Sequence, residues 1–234
     1  MLSHYLEVSE TPVGWLVLAA VGIAVVAYFL GCFNGAVVVS RYIIRDDVRT
    51  HGSGNAGLTN FYRTFGGPLT AVVILSDVLK AVLAVLFAVL IAKQLSPELI
   101  PLAKYWGAMF CLLGHMYPCT FQFRGGKGIL SGGTIVFMMD WRVALVVWLG
   151  FIVLAALTRY VSLGSCWAGL SFPFVSGLVY RDTLITLMAV IIGGLILWKH
   201  RANMVRLFKG TESKFALHKK GDSAAPKAKE EEKK

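Results

Sequence analysis

No charged residue occurs between Val13 and Val39, and further long apolar segments recur up to Trp198. About 20 apolar residues are enough to cross the hydrocarbon core of a bilayer. Inside lipid every backbone N–H and C=O must be paired within the protein, so spanning segments are helices or a closed barrel. The apolar runs here are continuous rather than alternating, which excludes the barrel pattern. At 56% hydrophobic and 15% charged residues, the 234-residue chain is too apolar for an ordinary soluble domain. The expected class is therefore all-α, a polytopic membrane protein. Its net charge of +10 then speaks to topology and gives no reason to expect nucleic acid as a partner.

Seven spans are expected: Val13 to Val39, Leu69 to Ala92, Leu99 to Leu113, a short one from Ile129 to Met139, Val143 to Leu157, one ending near Val179, and Leu184 to Trp198. The first ten residues carry Glu7 and Glu10 but no Lys or Arg, unlike the basic start of a cleaved signal, so the first span is expected to be retained. Eighteen of the 23 Lys and Arg residues fall on the side reached after the first span, four fall on the other, and Lys80 lies within the second span. Positive charge concentrates in cytoplasmic loops, so the amino terminus is expected outside and the carboxyl terminus in the cytoplasm. Residues 1–217 read as the membrane domain and 218–234 as a disordered charged tail of Ala, Lys, Glu and Pro. Cys32, Cys111, Cys119 and Cys166 form no C-x-x-C pair and read as small buried hydrophobes.

Polar chemistry interrupts the apolar pattern at a few places. Gly52-Ser53-Gly54-Asn55-Ala56-Gly57-Leu58-Thr59-Asn60, with Arg63 three residues on, lies between the first two spans. Glycines let a backbone approach a ligand, and consecutive N–H groups in such a loop make an anion-binding concavity. Arg45, Arg49 and Arg63 nearby point to phosphate, whose oxygens match a guanidinium fork. A flexible connection between helices is the plainer alternative. Gly125-Gly126-Lys127-Gly128 forms a second such loop without the spacing of a Walker A motif. Ser162 to Ser165 and His200 to Asn203 complete the set, all at the cytoplasmic ends of different spans. A site at that interface meets water-borne phosphate on one side and acyl chains on the other. A transporter or binding protein for an organic phosphate would place its polar groups nearer mid-membrane, where only Asp77 and Lys80 lie. Those two, at i and i+3, share a helix face and should face inward and toward each other, as a structural ion pair or in contact with substrate.

Together, Ser40-Arg41, the Gly52 to Asn60 motif with Arg63, Gly114-His115-Met116-Tyr117-Pro118 leading to Phe123-Arg124-Gly125-Gly126-Lys127-Gly128, and His200-Arg201-Ala202-Asn203 with Arg206-Leu207 and Gly210-Thr211-Glu212 resemble the acyl-phosphate-dependent glycerol-3-phosphate acyltransferase family, PlsY. The resemblance runs from about Leu30 to Phe215 and implies a seven-helix enzyme of the bacterial inner membrane, with its active site at the cytoplasmic interface. It implies acyl transfer from acyl phosphate to the 1-hydroxyl of sn-glycerol 3-phosphate, giving lysophosphatidic acid and phosphate, the first step of phospholipid synthesis. The partners it implies are these two substrates, membrane lipid and an upstream enzyme that makes acyl phosphate. Ser53, Lys127, His200 and Asn203 are carried over as catalytic positions. Gly52, Gly54, Asn55, Thr59, Asn60, Arg63, Gly125, Gly126 and Ser165 are carried over as substrate-binding ones. Leu58 and Ile129 to Gly132 depart from the family pattern, which bears on chain-length preference.

Positioning two substrates and neutralising their charge can supply much of the acceleration, because acyl phosphate is already an activated donor. The proton acceptor is left open between a donor phosphate oxygen, His115 and His200. The His and Asp pair, five residues apart, of the soluble-type glycerolipid acyltransferases is absent: His4, His51, His115, His200 and His218 are followed at that distance by Ser9, Ala56, Thr120, Val205 and Ser223. No metal-ligand spacing occurs, so no metal and no cofactor are expected. An acyl-CoA donor remains the alternative.

Overall fold

The computed structural model describes Tyr5 and residues 11–215, and the tail expected from residue 218 lies outside these. Every regular element among the described residues is helical. Seven helices overlap the seven expected segments: α1 (Val13–Cys32), α4 (Leu69–Leu95), α5 (Ile100–Met116), α6 (Ile129–Met139), α7 (Trp141–Thr158), α8 (Val161–Tyr180) and α9 (Thr183–Lys199). Short helices α2 (Gly35–Val38), α3 (Leu58–Thr64) and α10 (Arg201–Phe208) sit at their ends. By length and composition, Val13–Ile44, Leu69–Leu95, Trp141–Thr158 and Val161–Tyr180 can each cross a membrane, and α9 with α10, bent by 57°, makes a fifth if the pair is one span. Helix α6 has 11 residues, a rise of about 16 Å, half of a hydrocarbon core of about 30 Å.

The expected first span from Val13 to Val39 is not one helix. It stops at Cys32 and restarts at Gly35, with a π-helical turn from Val39 to Ile44 beyond. Asn34, fully buried at the break, accepts from Val37 N at 3.1 Å and donates to Ala56 O at 3.0 Å. A broken helix persists inside a bundle when other groups take over its freed backbone atoms. Here Phe33 O is taken by the Lys80 ammonium at 2.8 Å.

Helix α5 is central, and α1 packs against it closely because both carry glycine at the contact. A Cβ on Gly31 would run into the Cys111 carbonyl, and one on Gly114 into the Tyr28 carbonyl. In lipid, where apolar faces gain nothing by avoiding water, such close backbone approach is what holds helices together. Helix α4 divides cleanly. Val73, Asp77, Lys80, Ala81, Ala84 and Ala88 are buried, whereas Leu75, Leu79, Leu83, Leu86 and Leu90 are exposed on the opposite side, where lipid would meet them. As the sequence spacing requires, Lys80 Nζ lies 2.6 Å from Asp77 Oδ1 in the interior.

Candidate functional site

At one end of the bundle the helix termini enclose a cavity of about 920 Å³. The first glycine-rich stretch reaches it as a loop followed by α3, so Leu58, Thr59 and Asn60, expected as loop, form the first turn of a helix. Asn60 shapes this loop rather than reaching outward. Its Oδ1 accepts from Ser53 N at 3.0 Å, and its amide donates to Val48 O and His51 O. Gly52 (φ +54°) turns the chain where any side chain would strike that Asn60 oxygen.

The second loop lies directly on the end of α5. Gly126 N donates to His115 O at 3.1 Å, and a Cβ on Gly126 would collide with the His115 imidazole and come within 2.7 Å of Ala56 O. These glycines are required by the packing. The loop then presents Lys127, whose ammonium donates to Asn203 Oδ1. Asn203 in turn donates to Glu212 Oε1 at 2.7 Å, and Arg206 Nε donates to Glu212 Oε2 at the same distance. Burial pushes the Lys127 ammonium down to about 8, with the Arg206 charge acting in the same direction. For Glu212 burial acts upward, but hydrogen bonds from Asn203 and Arg206 prevail and hold its carboxyl below the ordinary range.

His200 marks the bend between α9 and α10. Its Nδ1 lies 2.8 Å from Ile196 O, a carbonyl that can only accept, so the ring carries its proton on Nδ1 and leaves Nε2 as an acceptor. Arg63 donates through Nη2 to the carbonyls of Ser213 and Lys214 at 3.2 and 3.4 Å. The segment Thr211 to Phe215 thus straps one side of the cavity, tied down further where Phe215 N donates to Arg159 O at 2.7 Å.

Among the sequence-derived candidates, Gly52, Ser53, Asn55, Thr59, Asn60, Arg63, Lys127, Ser165, His200 and Asn203 all line this one cavity. Gly54, Gly125 and Gly126 do not; Gly125 and Gly126 pack against His115 behind it. Arg49, expected beside the anion, is instead clamped to Asp47 at 2.7 Å and reaches Phe121 O at 3.0 Å, fastening the two loops together. Arg45 is likewise absent from the lining. His115, a candidate proton acceptor, and Asp77, read as an ion-pair or substrate-contacting residue, also line the cavity; Arg206 and Glu212 line it without having been given a role, although both lie in a stretch already noticed. Leu130, Ile129, Trp148 and Phe151 make the remaining wall apolar, and beyond Gly128 and Ile129 it continues into a narrow apolar space of about 40 Å³ between α6, α7, α8 and α9.

A cation-lined chamber with one greasy wall, at the end of a bundle of apolar helices, is a setting in which an anionic ligand and an acyl chain could meet. The comparisons with known proteins agree. Residues 21–210 match the family described as Glycerol-3-phosphate acyltransferase. A glycerol-3-phosphate acyltransferase of Thermoanaerobacter pseudethanolicus is 35% identical over 195 residues, covering 83% of this chain and 95% of the relative. One from Paraburkholderia xenovorans is 34% identical over 203 residues, covering 87% and 94%. Among solved structures, PlsY, an integral membrane glycerol 3-phosphate acyltransferase in its glycerol 3-phosphate form, superposes with a TM-score of 0.74 at 32% identity, covering 84% of this chain and 96% of that one. The chain belongs to the glycerol-3-phosphate acyltransferase family PlsY.

The depressed Lys127 has a direct consequence for binding. Below about pH 8 the ammonium is present and available to an anion; as pH rises through that value the free site loses the charge. Affinity for a phosphate-ester probe should hold between about pH 6.5 and 7.5 and fall by roughly tenfold per unit above about pH 8.5. Titration calorimetry across that range checks this, and a flat profile would mean that Lys127 does not carry the binding charge.

Proposed function

We propose that the protein transfers the acyl chain of an acyl phosphate to the 1-hydroxyl of sn-glycerol 3-phosphate, releasing lysophosphatidic acid and inorganic phosphate. The observation that carries this reading is the pairing, within one cavity, of Lys127 and Arg63 with the apolar wall of Leu130, Trp148 and Phe151. The relatives named for glycerol-3-phosphate acyl transfer support it, as do the PlsY structures in glycerol 3-phosphate and lysophosphatidic acid forms.

In this reading Lys127 and Arg63 hold phosphate oxygens, and Ser53, Ser165, His200 and Asn203 orient the glycerol hydroxyls and the donor phosphate. The acceptor oxygen attacks the carbonyl carbon, the bond from that carbon to the phosphate oxygen breaks, and the hydroxyl proton passes to an oxygen of the departing phosphate. His200, with Nε2 free to accept, receives a hydrogen bond from the glycerol. Lys127 stabilises the charge that develops on the carbonyl oxygen and the leaving group, the kind of contribution a preorganised donor makes in a site sheltered from water. The chain crosses a bacterial inner membrane seven times with its amino terminus outside, which the unequal distribution of Lys and Arg supports, and the site opens to the cytoplasm.

The test is phosphate release by the purified protein in lipid mesophase or detergent, with glycerol 3-phosphate and either palmitoyl phosphate or palmitoyl-CoA. Phosphate should appear only when both glycerol 3-phosphate and palmitoyl phosphate are present. Transfer from palmitoyl-CoA alone would replace the donor, and no transfer with glycerol 3-phosphate still bound would turn the reading toward binding or transport.

A further inference from the structure

Beneath the Gly125 to Gly128 loop lies a cluster of three titratable side chains, Asp77, Lys80 and His115, each at most 3% exposed. The Lys80 ammonium is surrounded by acceptors: Asp77 Oδ1 at 2.6 Å, Phe33 O at 2.8 Å and His115 Nδ1 at 2.7 Å. An ammonium has three protons to give and no lone pair, so Nδ1 of His115 must be the accepting nitrogen and the imidazole proton must sit on Nε2. That ring edge faces the loop, since a Cβ on Gly126 would meet Nε2 first. Among the described residues Nε2 has no protein hydrogen-bond partner, although His115 lines the large cavity. A buried cluster that surrounds its lysine with an ion pair and two hydrogen-bond acceptors, and leaves one imidazole N–H without a protein partner at the edge of a cation-lined chamber, is arranged to meet an acceptor brought by a ligand. The arrangement is opposite to that of His200, whose Nδ1 is the donor.

We propose that His115 is a ligand-binding residue of this site, fixed as its Nε2–H tautomer by Lys80 and donating that proton to a phosphate oxygen of the bound substrate beside Lys127. The inference rests on the acyltransferase reading for the identity of the ligand. It removes His115 as general base, because its one lone pair is engaged by Lys80. Asp77 and Lys80 are positioning residues, acting through the histidine. The phosphate can belong to glycerol 3-phosphate or to the acyl phosphate, and the kinetics distinguish them.

The first arm needs no turnover. In full-length protein carrying ¹⁵N-labelled histidine, the His115 ring should be protonated at Nε2 and bare at Nδ1, and saturation with glycerol 3-phosphate or the acyl phosphate should shift Nε2. The opposite tautomer, or an Nε2 resonance unmoved by both esters, overturns the proposal. A shift without acyl transfer leaves it standing and removes the enzymatic reading instead. In the second arm, His115→Ala should raise KM for the ester whose phosphate is touched by on the order of tenfold to a hundredfold, the scale of a lost hydrogen bond to a charged group, and leave the other KM within about threefold. His115→Gln places a carboxamide N–H near the Nε2 position and should recover KM to within about threefold of wild type. Equal loss in both variants would assign the ring to packing and overturn the proposal.

Discussion

Lys127→Ala is expected to lower kcat/KM for acyl transfer by about three orders of magnitude while the protein remains folded. Removing a single preorganised donor from a developing oxyanion costs about a hundredfold to a thousandfold, and in the proposed reaction Lys127 also brings the charge that holds phosphate. Stability should change little. The ammonium is already held below its ordinary pKa by burial, so the fold bears a cost in keeping it charged, and deleting it relieves that cost. Asn203 and Glu212 keep each other and Arg206 after the substitution. Activity assays beside thermal unfolding in detergent separate the two effects, and wild-type turnover in the variant would take Lys127 out of the chemistry.

The second large effect is on folding. Asp77→Ala should destabilise the bundle by about 3 to 5 kcal/mol, because it leaves the Lys80 ammonium buried without its counter-ion, with only Phe33 O and His115 Nδ1 for company. Replacing both, as Asp77→Ala with Lys80→Met, should recover most of that loss, since the bare charge and not the missing carboxylate is the costly element. The unfolding midpoints of the two variants decide the matter. An Asp77→Ala protein with a wild-type midpoint and no activity would move the pair from scaffolding into the reaction itself.

Much of this could be read from the chain before folding, for identifiable reasons. Spans were legible because lipid imposes one rule on every residue of a segment, and α4, α7 and α8 follow it. The break at Phe33 and Asn34 was not, because nothing local distinguishes an asparagine that caps a restarted helix from one in a polar turn; its partner Ala56 is 22 residues away. Gly126 was expected to bind substrate, whereas the structure shows a packing requirement, since its contact with His115 exists only once α5 and the loop meet. Arg49 shows the limit of charge counting: a guanidinium near a phosphate loop can equally serve as a fastener between backbones. Glu212 was visible in the sequence, yet a carboxylate beside an anion site makes sense only when Asn203 and Arg206 are seen to hold it.

The broken first helix has a consequence for the thermodynamics of binding. The carbonyl it frees grips Lys80, and the side chain at the break grips Ala56 in the middle of the first glycine-rich loop. That loop is therefore moored to the bundle interior from below through Asn34 and from the side through Asn60. Ordering a residue costs on the order of 1 to 2 kcal/mol of conformational entropy, and here that cost is met when the bundle folds and not when the ligand arrives. A glycine-rich sequence, usually a mark of mobility, becomes a rigid mould, and the attraction between phosphate and cations remains available for affinity and for the transition state.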